Sequence, residues 1–367
     1  MKVLLVTPHF FGGGAERVAV ILANGLAVLG HTVTMLAGAE DGPNRALLDD
    51  AVDLVIAPRA PLWRFPFVVR DTIRRTSPDA IISHQTLRNV PVVLGVLLAK
   101  GRRKIPTIVV EHGEISQTIQ DVSGLSPKLM YCIIPLVYPF AGKVLSVSAN
   151  IQDRLPEWPL LPRMAKAVIV NPVVHPGLEA MRAQPPRHRW LAAKGAPVFI
   201  GLGRLEPQKN FALLIDSFAQ VRATRDARLV IYGEGSLRAS LQARIDSAGL
   251  SDVVDLAGYI DNPFSELANS DALVLSSLWE GLPTVAIEAM YCGAQVVSTR
   301  NSTGIELITE GGRLGGLSDL GDVDGLAANM LTAIADPLPA SMLQHKAAEF
   351  DYRKVSQIYV DIIRSLS

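Results

Sequence analysis

The sequence predicts an α/β protein with two doubly wound domains, each a parallel sheet covered by helices. Short β-branched or leucine-rich runs alternate with segments of helical length, the alternation lapses once in a proline-rich stretch, and it then begins again. At 367 residues the chain is also too long for one ordinary core. Two domains are therefore expected.

The first series runs from residue 2 to residue 170. Its predicted strands alternate with helical segments such as 15–29 and 87–100, which indicates a parallel sheet buried on both faces. The predicted strands are Lys2–Thr7, Thr32–Ala37, Asp53–Ala57, Asp79–Ser83, Thr107–Glu111, Lys143–Val147 and Ala167–Val170.

Between Asn171 and Pro197 the pattern lapses and prolines accumulate, which is typical of an interdomain linker. The second series follows it, with helices predicted over 211–221 and 237–248. Its predicted strands are Val198–Leu202, Arg228–Tyr232, Val253–Ala257, Ala272–Leu275 and Gln295–Thr299.

The composition is apolar, with 49% hydrophobic and 19% charged residues, but no run of eighteen apolar residues occurs. The most apolar tract, 129–141, contains two prolines and is expected to be a buried helix. The first residues suit a core strand and not a signal peptide. Cys132 and Cys292 are far apart and fit neither a disulfide framework nor a metal site, so a reducing cytoplasm is expected.

Formal net charge is zero, although residues 1–170 carry 18 lysines and arginines against 13 acidic residues. This asymmetry suits a half that faces a membrane or an anionic partner. It is too small to indicate nucleic-acid binding.

Three glycine-rich turns follow predicted strands: Gly12–Gly14, Gly201–Gly203 and Gly233–Gly235. Each can bring backbone N–H groups close to an anion, or can simply be a tight turn. None completes G-x-G-x-x-G, and G-x-x-x-x-G-K-[ST] does not occur. A dinucleotide dehydrogenase and a P-loop enzyme are therefore disfavoured.

The second turn leads directly to two cations, Arg204 and Lys209, at a strand end and a helix start. A guanidinium fork and an ammonium placed there can converge on one diphosphate. Two solvated surface cations remain the alternative.

Two carboxylates, Glu280 and Glu288, are eight residues apart around a predicted helix start, with Pro283 at the first helical position. The strand before them places both near a carboxyl end, where open α/β sheets bind ligands. One surface acid and one capping acid remain the alternative.

Together these segments resemble the retaining family-4 glycosyltransferases of GT-B fold, in which two Rossmann-like domains face each other. The matching segments are Gly12-Gly13-Gly14-Ala15-Glu16-Arg17-Val18, Glu111-His112-Gly113, Gly203-Arg204 with Lys209-Asn210, Tyr232-Gly233-Glu234-Gly235, and Glu280 with Glu288. The resemblance spans nearly the whole chain and is most specific between Gly201 and Arg300.

The resemblance implies roles for these residues. Arg204 and Lys209 would bind the diphosphate, and Glu288 would accept hydrogen bonds from the ribose hydroxyls. Glu280, with the amides of Gly281 and Leu282, would hold the donor sugar, which His112 would also reach. The glycine turns, including Gly203, Gly233 and its neighbour Glu234, would approach the donor, and Gly13 and Gly14 would border donor and acceptor.

No metal or other cofactor is expected, because cations and helix N-termini can stabilise the departing diphosphate. Asp322 and Asp324 are interpreted as helix-capping acids. The tail, 346–366, is predicted to be helical and to return to the first domain. The expected domains are therefore 1–172 with 349–367, for the acceptor, and 173–348, for the nucleotide-sugar.

The expected reaction is transfer of a hexose or N-acetylhexosamine, from UDP rather than GDP, to a saccharide or lipid-linked acceptor in surface polysaccharide or glycoconjugate synthesis. Aromatic and basic residues in 63–75 and 100–104 suit a polyprenyl-linked acceptor and peripheral contact with the inner membrane surface, or else an amphipathic helix on its own sheet. A nucleotide-sugar epimerase, a glycan phosphorylase and a non-catalytic binding subunit remain alternatives.

Overall fold

The computed structural model describes residues 1–11, 13–58, 61–99, 104–115, 128, 131–156 and 163–366. They form two compact units. Unit 1 comprises Met1–Val173 and Asp351–Ser367, and unit 2 comprises Val174–Phe350.

Unit 1 is built on a parallel sheet whose described strands follow the order β3-β2-β1-β4-β5-β6-β7. Strands β4 and β5 are buried along their whole length, as expected for a sheet covered on both faces. The strand order reverses between β1 and β4, and such a reversal opens a crevice at the carboxyl ends of the strands. The strands are β1 Lys2–Thr7, β2 Thr32–Ala37, β3 Val52–Ile56, β4 Ala80–His84, β5 Thr107–Glu111, β6 Lys143–Ser146 and β7 Lys166–Val168.

The helices of unit 1 include the last helix of the chain, which packs on the first. Those described are α1 Gly14–Val28, α2 Phe65–Thr76, α3 Thr86–Leu98, α4 Ile134–Val137, α5 Ala149–Asp153 and, at the end of the chain, α15 Tyr352–Ser365. The contact between α1 and α15 is close because a Cβ at Gly25 would lie 2.9 Å from the carbonyl oxygen of Tyr352 and 2.1 Å from Ser356 Oγ.

Unit 2 repeats the architecture with a parallel sheet in the order β10-β9-β8-β11-β12-β13. Its strand order reverses between β8 and β11. One face is filled by aliphatic residues around Phe199 and Phe218, whose rings meet edge to face. The strands are β8 Val198–Leu202, β9 Arg228–Tyr232, β10 Val254–Gly258, β11 Ala272–Leu275, β12 Gln295–Thr299 and β13 Gly315–Ser318.

The helices of unit 2 begin in the proline-rich segment, where two are short. They are α6 Gly177–Arg182, α7 Arg189–Ala192, α8 Phe211–Thr224, α9 Arg238–Ser247, α10 Pro263–Asn269, α11 Thr284–Cys292, α12 Thr303–Thr309, α13 Val323–Ala335 and α14 Ala340–Ala347. Asp322 caps α13 by accepting a hydrogen bond from the Gly325 amide, and the Asp324 carboxylate accepts one from Gln220.

Three expectations from the sequence were wrong in detail. The tail is not one helix, because α14 ends at Ala347 and Asp351 caps a new helix through the amides of Arg353 and Lys354. Pro283 is the residue before α11 and not its first helical residue. The apolar tract 129–141 is not one continuous helix. In its described part, residues 131–132 and Ile134–Val137 are α-helical and Tyr138–Phe140 form a 3-10 turn, with a break at Ile133, and Ile134 is buried as expected; residues 129 and 130 lie outside the described residues.

Among the described residues, no helix is both long and apolar enough to cross a bilayer.

Substitution of Gly25 should destabilise unit 1. A valine there would overlap the backbone of α15, and overpacking of this kind lowers the free energy of unfolding by about 1–3 kcal/mol. Urea unfolding of Gly25→Val measures the effect. Gly195→Val is the control, because nothing lies within 4 Å of a Cβ at Gly195. Equal stability of the two variants would contradict the described packing.

Candidate active site

In unit 2, the loops that follow β8 and β9 are packed backbone against backbone. Gly203 and Gly233 have φ angles of 154° and 145°, in the region that favours glycine. A Cβ at Gly233 would lie 1.8 Å from the carbonyl oxygen of Gly203, so no side chain fits there. The two glycine turns predicted from the sequence therefore form one continuous backbone surface at the carboxyl ends of neighbouring strands.

Lys209 lies directly beside the first of these turns. A Cβ at Gly203 would be 2.9 Å from Lys209 Cε. The Lys209 ammonium donates to Glu280 Oε1 at 2.5 Å, and both side chains are largely buried, with 19% and 11% exposed. The structure thus joins the loop after β8 to the loop after β11 through an ion pair.

Glu280 is held in place from two more directions. Ser277 Oγ donates to the same oxygen, Oε1, at 2.8 Å, and the Glu280 amide donates to the Asn301 carbonyl at 3.3 Å. Both side-chain bonds end at Oε1, and Oε2 has no hydrogen-bond partner among the described residues. One carboxylate oxygen thus remains able to accept a hydrogen bond from a ligand hydroxyl.

The Arg204 side chain is exposed and has no ion pair or hydrogen bond within the part of the chain that the structure describes. Its charge nevertheless contributes to lowering the pKa of Glu206, whose main cause is hydrogen bonding from Ser236. Arg204 and Lys209 therefore lie near one strand end, one cation unpaired and the other shared with a carboxylate.

The other residues of unit 2 that were predicted to bind the donor differ in their exposure to water. The Gly281 carbonyl would be 2.2 Å from a Cβ at Gly304, and Leu282 is buried, so this loop is fixed against the start of α12. Glu288 is 3% exposed within α11 and contributes to raising the pKa of Cys292 to about 12, mainly a result of burial. Glu234 is exposed and its carboxylate contacts Arg238 at 3.2 Å.

In unit 1, α1 begins directly after Gly13, which is its N-cap and lies in an extended conformation. A Cβ at Gly13 would be 2.1 Å from Glu16 Oε2, so an acidic side chain occupies the space beside the helix start. Gly14 is exposed, and Gly12 lies outside the described residues. A carboxylate here favours a neutral hydroxyl ligand over a second anion.

His112, which follows β5, contacts His84 at the end of β4. The distance from His84 Nδ1 to His112 Nε2 is 2.8 Å, and the rings are stacked with centroids 5.1 Å apart. Burial lowers the pKa of His112 to about 4, and burial followed by the charge of His112 lowers that of His84 well below its usual range. Both histidines are therefore neutral at pH 7, and His112 can exchange hydrogen bonds but carries no charge.

Glu111 precedes His112 and is completely buried. Its carboxyl group accepts hydrogen bonds from Thr86, Asn89 and Tyr138, with 2.8 Å to Asn89 Nδ2. Burial raises the pKa of Glu111, although the three hydrogen bonds act in the opposite direction. Glu111 thus connects β5, α3 and the segment after α4, and it fixes the backbone that leads to His112.

Sequence reasoning missed His84, Ser277 and Asn301. Each follows or ends a strand at the carboxyl edge, and this position was the available signal, since a strand was predicted next to all three. Their polar side chains gave no distinctive spacing. Among the described residues, no cluster of three or more His, Cys, Asp or Glu side chains is arranged to hold a metal ion.

Two doubly wound units with polar groups at the carboxyl edges of their sheets define a ligand-binding α/β protein. Residues 13–172 match the glycosyl transferase 4-like domain, and residues 185–350 match the glycosyl transferases group 1. The chain therefore belongs to the group 1 glycosyltransferase family.

Two relatives illustrate the similarity of sequence. An uncharacterized glycosyltransferase of Methanocaldococcus jannaschii is 31% identical over 255 residues, which cover 66% of this chain and 62% of the relative. N-acetylgalactosamine-N,N'-diacetylbacillosaminyl-diphospho-undecaprenol 4-alpha-N-acetylgalactosaminyltransferase of Campylobacter jejuni is 27% identical over 59% of this chain and 57% of its own length. The matched part thus spans less than two thirds of either relative.

Solved structures confirm the GT-B fold. Anabaena HepE in complex with UDP and glucose superposes with a TM-score of 0.76 at 23% identity, with both chains fully covered. The lipopolysaccharide outer core galactosyltransferase WaaB superposes with a TM-score of 0.73 at 18% identity, covering 100% of this chain and 99% of WaaB.

The histidine pair should make unit 1 sensitive to acid. Histidines in the unfolded chain have a pKa near 6.5, whereas the pKa of folded His112 is about 4. The unfolded state therefore binds the proton first, and the free energy of unfolding should fall as the pH decreases from about 6.5 towards 4, by up to about 1.4 kcal/mol per pH unit for this residue.

Urea unfolding of His112→Gln at pH 7 and pH 5 tests this expectation. The variant should lose less stability between the two pH values than the wild type. His345→Gln, at an exposed position of unit 2, should keep the wild-type dependence. An unchanged pH dependence in His112→Gln would show that His112 is not buried as described.

Proposed function

We propose that the protein transfers a sugar from a nucleotide-diphosphate sugar, bound by unit 2, to an acceptor received by unit 1. The observation that carries this proposal is the Lys209–Glu280 pair at the carboxyl ends of β8 and β11, with unpaired Arg204 nearby. This arrangement offers positive charge to a diphosphate and a carboxylate oxygen to a sugar hydroxyl. The relation to Anabaena HepE, which binds UDP and glucose, supports the same assignment.

In the proposed reaction, the bond between the sugar C1 and the diphosphate oxygen breaks, a bond from C1 to an acceptor hydroxyl oxygen forms, and the proton of that hydroxyl passes to the departing diphosphate. Negative charge then accumulates on the departing diphosphate, where Arg204 and Lys209 stabilise it. A metal is not part of this proposal. Retention at C1 is proposed on the family resemblance.

The remaining donor contacts are proposed for the loop before α11, for α11 itself, for the glycine turns and for unit 1. Glu280 Oε2 and the amides of Gly281 and Leu282 bind the sugar, whereas Pro283 has no N–H to donate. Glu288 accepts hydrogen bonds from the ribose hydroxyls. The glycine surface of Gly203 and Gly233, with the Glu234 backbone, lets the diphosphate approach closely. In unit 1, neutral His112 contacts the sugar, and Gly13 and Gly14 border it.

We favour UDP over GDP and a hexose or N-acetylhexosamine as the transferred sugar. Two Campylobacter jejuni relatives are named for transfer of N-acetylgalactosamine to undecaprenol-diphosphate saccharides. The proposed acceptor is accordingly a saccharide or a polyprenyl-linked saccharide in surface polysaccharide or glycoconjugate synthesis. The proposed location is the cytoplasm, with peripheral contact at the inner membrane face.

An exposed aromatic and basic surface at the start of α2 supports the proposed membrane contact. Trp63 is 57% and Phe67 44% exposed, and the guanidinium groups of Arg64 and Arg70 stack on these two rings. The opposite face of α2 is buried on the sheet, as the amphipathic alternative requires. The segment 63–75 therefore has both an exposed aromatic and basic face and a face that packs on its own unit. Of the basic cluster at 100–104, only Lys104 lies within the described residues.

Removal of donor contacts should reduce transfer. Lys209→Ala and Glu288→Ala each delete a buried charged group, and kcat/KM for donor-dependent product formation should fall at least about tenfold, because a charge-assisted hydrogen bond contributes about 1.5–3 kcal/mol. Lys194→Ala is the matched control, since Lys194 forms a more exposed ion pair with Asp271 in the same unit. Undiminished product formation by both donor-site variants would eliminate the proposal.

The base is tested separately by thermal unfolding with UDP- and GDP-sugars. A ligand that binds the folded state alone raises the melting temperature, and UDP-sugars should raise it more. A larger shift with GDP-sugars would reverse the assigned base.

Charge reversal should weaken membrane contact. The triple variant Arg70→Glu, Arg74→Glu, Arg75→Glu should float less with vesicles that contain anionic lipid, because each basic residue near the surface contributes about 1 kcal/mol. Reversal of Arg222 and Arg225 in unit 2 is the control. Equal flotation of the triple variant and the wild type would remove the membrane assignment.

A further inference from the structure

The reversal of strand order between β1 and β4 leaves several polar groups unsatisfied in unit 1. Thr7 Oγ1, Ser83 Oγ and His84 Nε2 are buried at the ends of these strands and have no hydrogen-bond partner among the described residues. Buried polar atoms are nearly always bonded, so a group of atoms without a partner at one strand edge is a feature that needs an explanation. Open α/β sheets bind ligands at such reversals.

Arg88, in the first turn of α3, lies beside the same edge. Its side chain is half-buried and its guanidinium stacks on the Phe65 ring, 4.3 Å from the centroid. Within the described ranges it forms no ion pair and no side-chain hydrogen bond. Burial lowers the pKa of Arg88, and no neighbouring acid offsets this effect.

Three other arginines stacked on aromatic rings have polar partners, whereas two more, Arg64 and Arg189, are exposed to water. Arg70 bonds to Asp71 and Arg182 to Glu179, each at 2.8 Å, and Arg353 bonds to the Tyr352 hydroxyl at 3.1 Å. Arg88 is different because it is partly removed from water and has no hydrogen-bond or ion-pair partner among the described residues. A desolvated, unpaired cation costs free energy unless an anion completes it.

The guanidinium is fixed at the carboxyl ends of β1 and β2. A Cβ at Gly38, directly after β2, would lie 2.9 Å from Arg88 Nη2 and 2.5 Å from the Pro8 carbonyl oxygen. Gly38 does not have a positive φ, so the space and not the backbone conformation requires glycine there. A side chain at this position would displace the guanidinium.

Backbone strain occurs at the same place. Gln85, between β4 and α3, has φ 74° and ψ 134°, which is costly for a residue with a side chain. Its carbonyl accepts the amides of Arg88 and Asn89, each at 2.9 Å. The strained residue therefore sets the direction in which α3 leaves the sheet and with it the position of Arg88.

We propose that Arg88 binds an oxyanion of the acceptor, a phosphate or a carboxylate group, at the reversal between β1 and β4. The planar guanidinium suits two parallel hydrogen bonds to such a group. This inference rests on the proposed function in one respect, namely that unit 1 receives the acceptor. It adds that the acceptor carries a negative charge close to the hydroxyl group that receives the sugar.

The test uses the full chain carrying Lys209→Ala, so that the proposed diphosphate site of unit 2 contributes little. The binding of geranyl phosphate, geraniol and inorganic phosphate is then measured by calorimetric titration. The parent chain, which retains Arg88, is compared with the same chain carrying Arg88→Gln or Arg88→Lys. Geranyl phosphate should bind and geraniol should not. Arg88→Gln should weaken binding at least about tenfold, and Arg88→Lys should lie between. Arg353→Gln, the control at an exposed stacked arginine, should bind as the parent does.

The two phosphates distinguish the source of the anion. Binding of geranyl phosphate alone indicates a lipid phosphate, whereas equal binding of inorganic phosphate indicates a soluble anionic acceptor. Undiminished binding by Arg88→Gln, or binding of neither phosphate by the parent, would overturn the inference. The rise in melting temperature caused by nucleotide-sugars is measured in parallel for the wild type and for Arg88→Gln without the Lys209 substitution. If nucleotide-sugars do not stabilise the wild type, the result counts against the proposed function and not against the role of Arg88.

Discussion

Both units depend on one constraint, which is that a parallel sheet covered on two faces leaves no room for polar side chains except where its strands end. Strands β4 and β5 are buried throughout, and the functional candidates lie in the loops that follow strands. Arg204 follows β8, Glu280 follows β11 and His112 follows β5. Because parallel strands all end at the same edge, residues far apart in sequence are gathered there without special contacts between them. The reversal of strand order in each sheet then separates two loops and creates the space for a ligand.

The two units use that edge in different chemical ways. Unit 2 keeps positive charge at this edge, with Arg204 exposed and the largely buried Lys209 paired with Glu280. Unit 1 removes charge by burial, so that His84 and His112 are neutral at pH 7 and Glu111 is enclosed by three donors. An accessible cationic edge suits a diphosphate, and a neutral hydrogen-bonding edge suits sugar hydroxyls. Arg88 is an exception within unit 1, and its environment gives it no partner among the described residues.

Much of this fold could be predicted from the sequence because the strands are continuous apolar runs bounded by turn residues. Strands β1, β2, β5, β8, β9, β11 and β12 have the predicted bounds. Strand β13 was missed because it begins with Gly315-Gly316, and glycine is not typical of strands. A side chain at these positions would overlap the Val296 carbonyl or the Asn329 side chain, and no local sequence pattern reveals such contacts. The Lys209–Glu280 pairing likewise joins residues 71 positions apart, so only the family resemblance placed them in one site. His84 was missed because its partner, His112, follows the neighbouring strand, 28 residues later in the chain.

The ion pair of Lys209 and Glu280 has a consequence for turnover. An ammonium that already has a counter-ion 2.5 Å away gains less from an arriving nucleotide than a free ammonium would. In the proposed reaction the carboxylate therefore competes with the diphosphate for the same cation, both when the donor enters and when the nucleotide product remains. Weaker binding of the donor is the disadvantage of this competition. Its benefit is faster departure of the spent nucleotide, since Glu280 can take back the ammonium as the diphosphate leaves and no bare charge has to be exposed in a half-buried site.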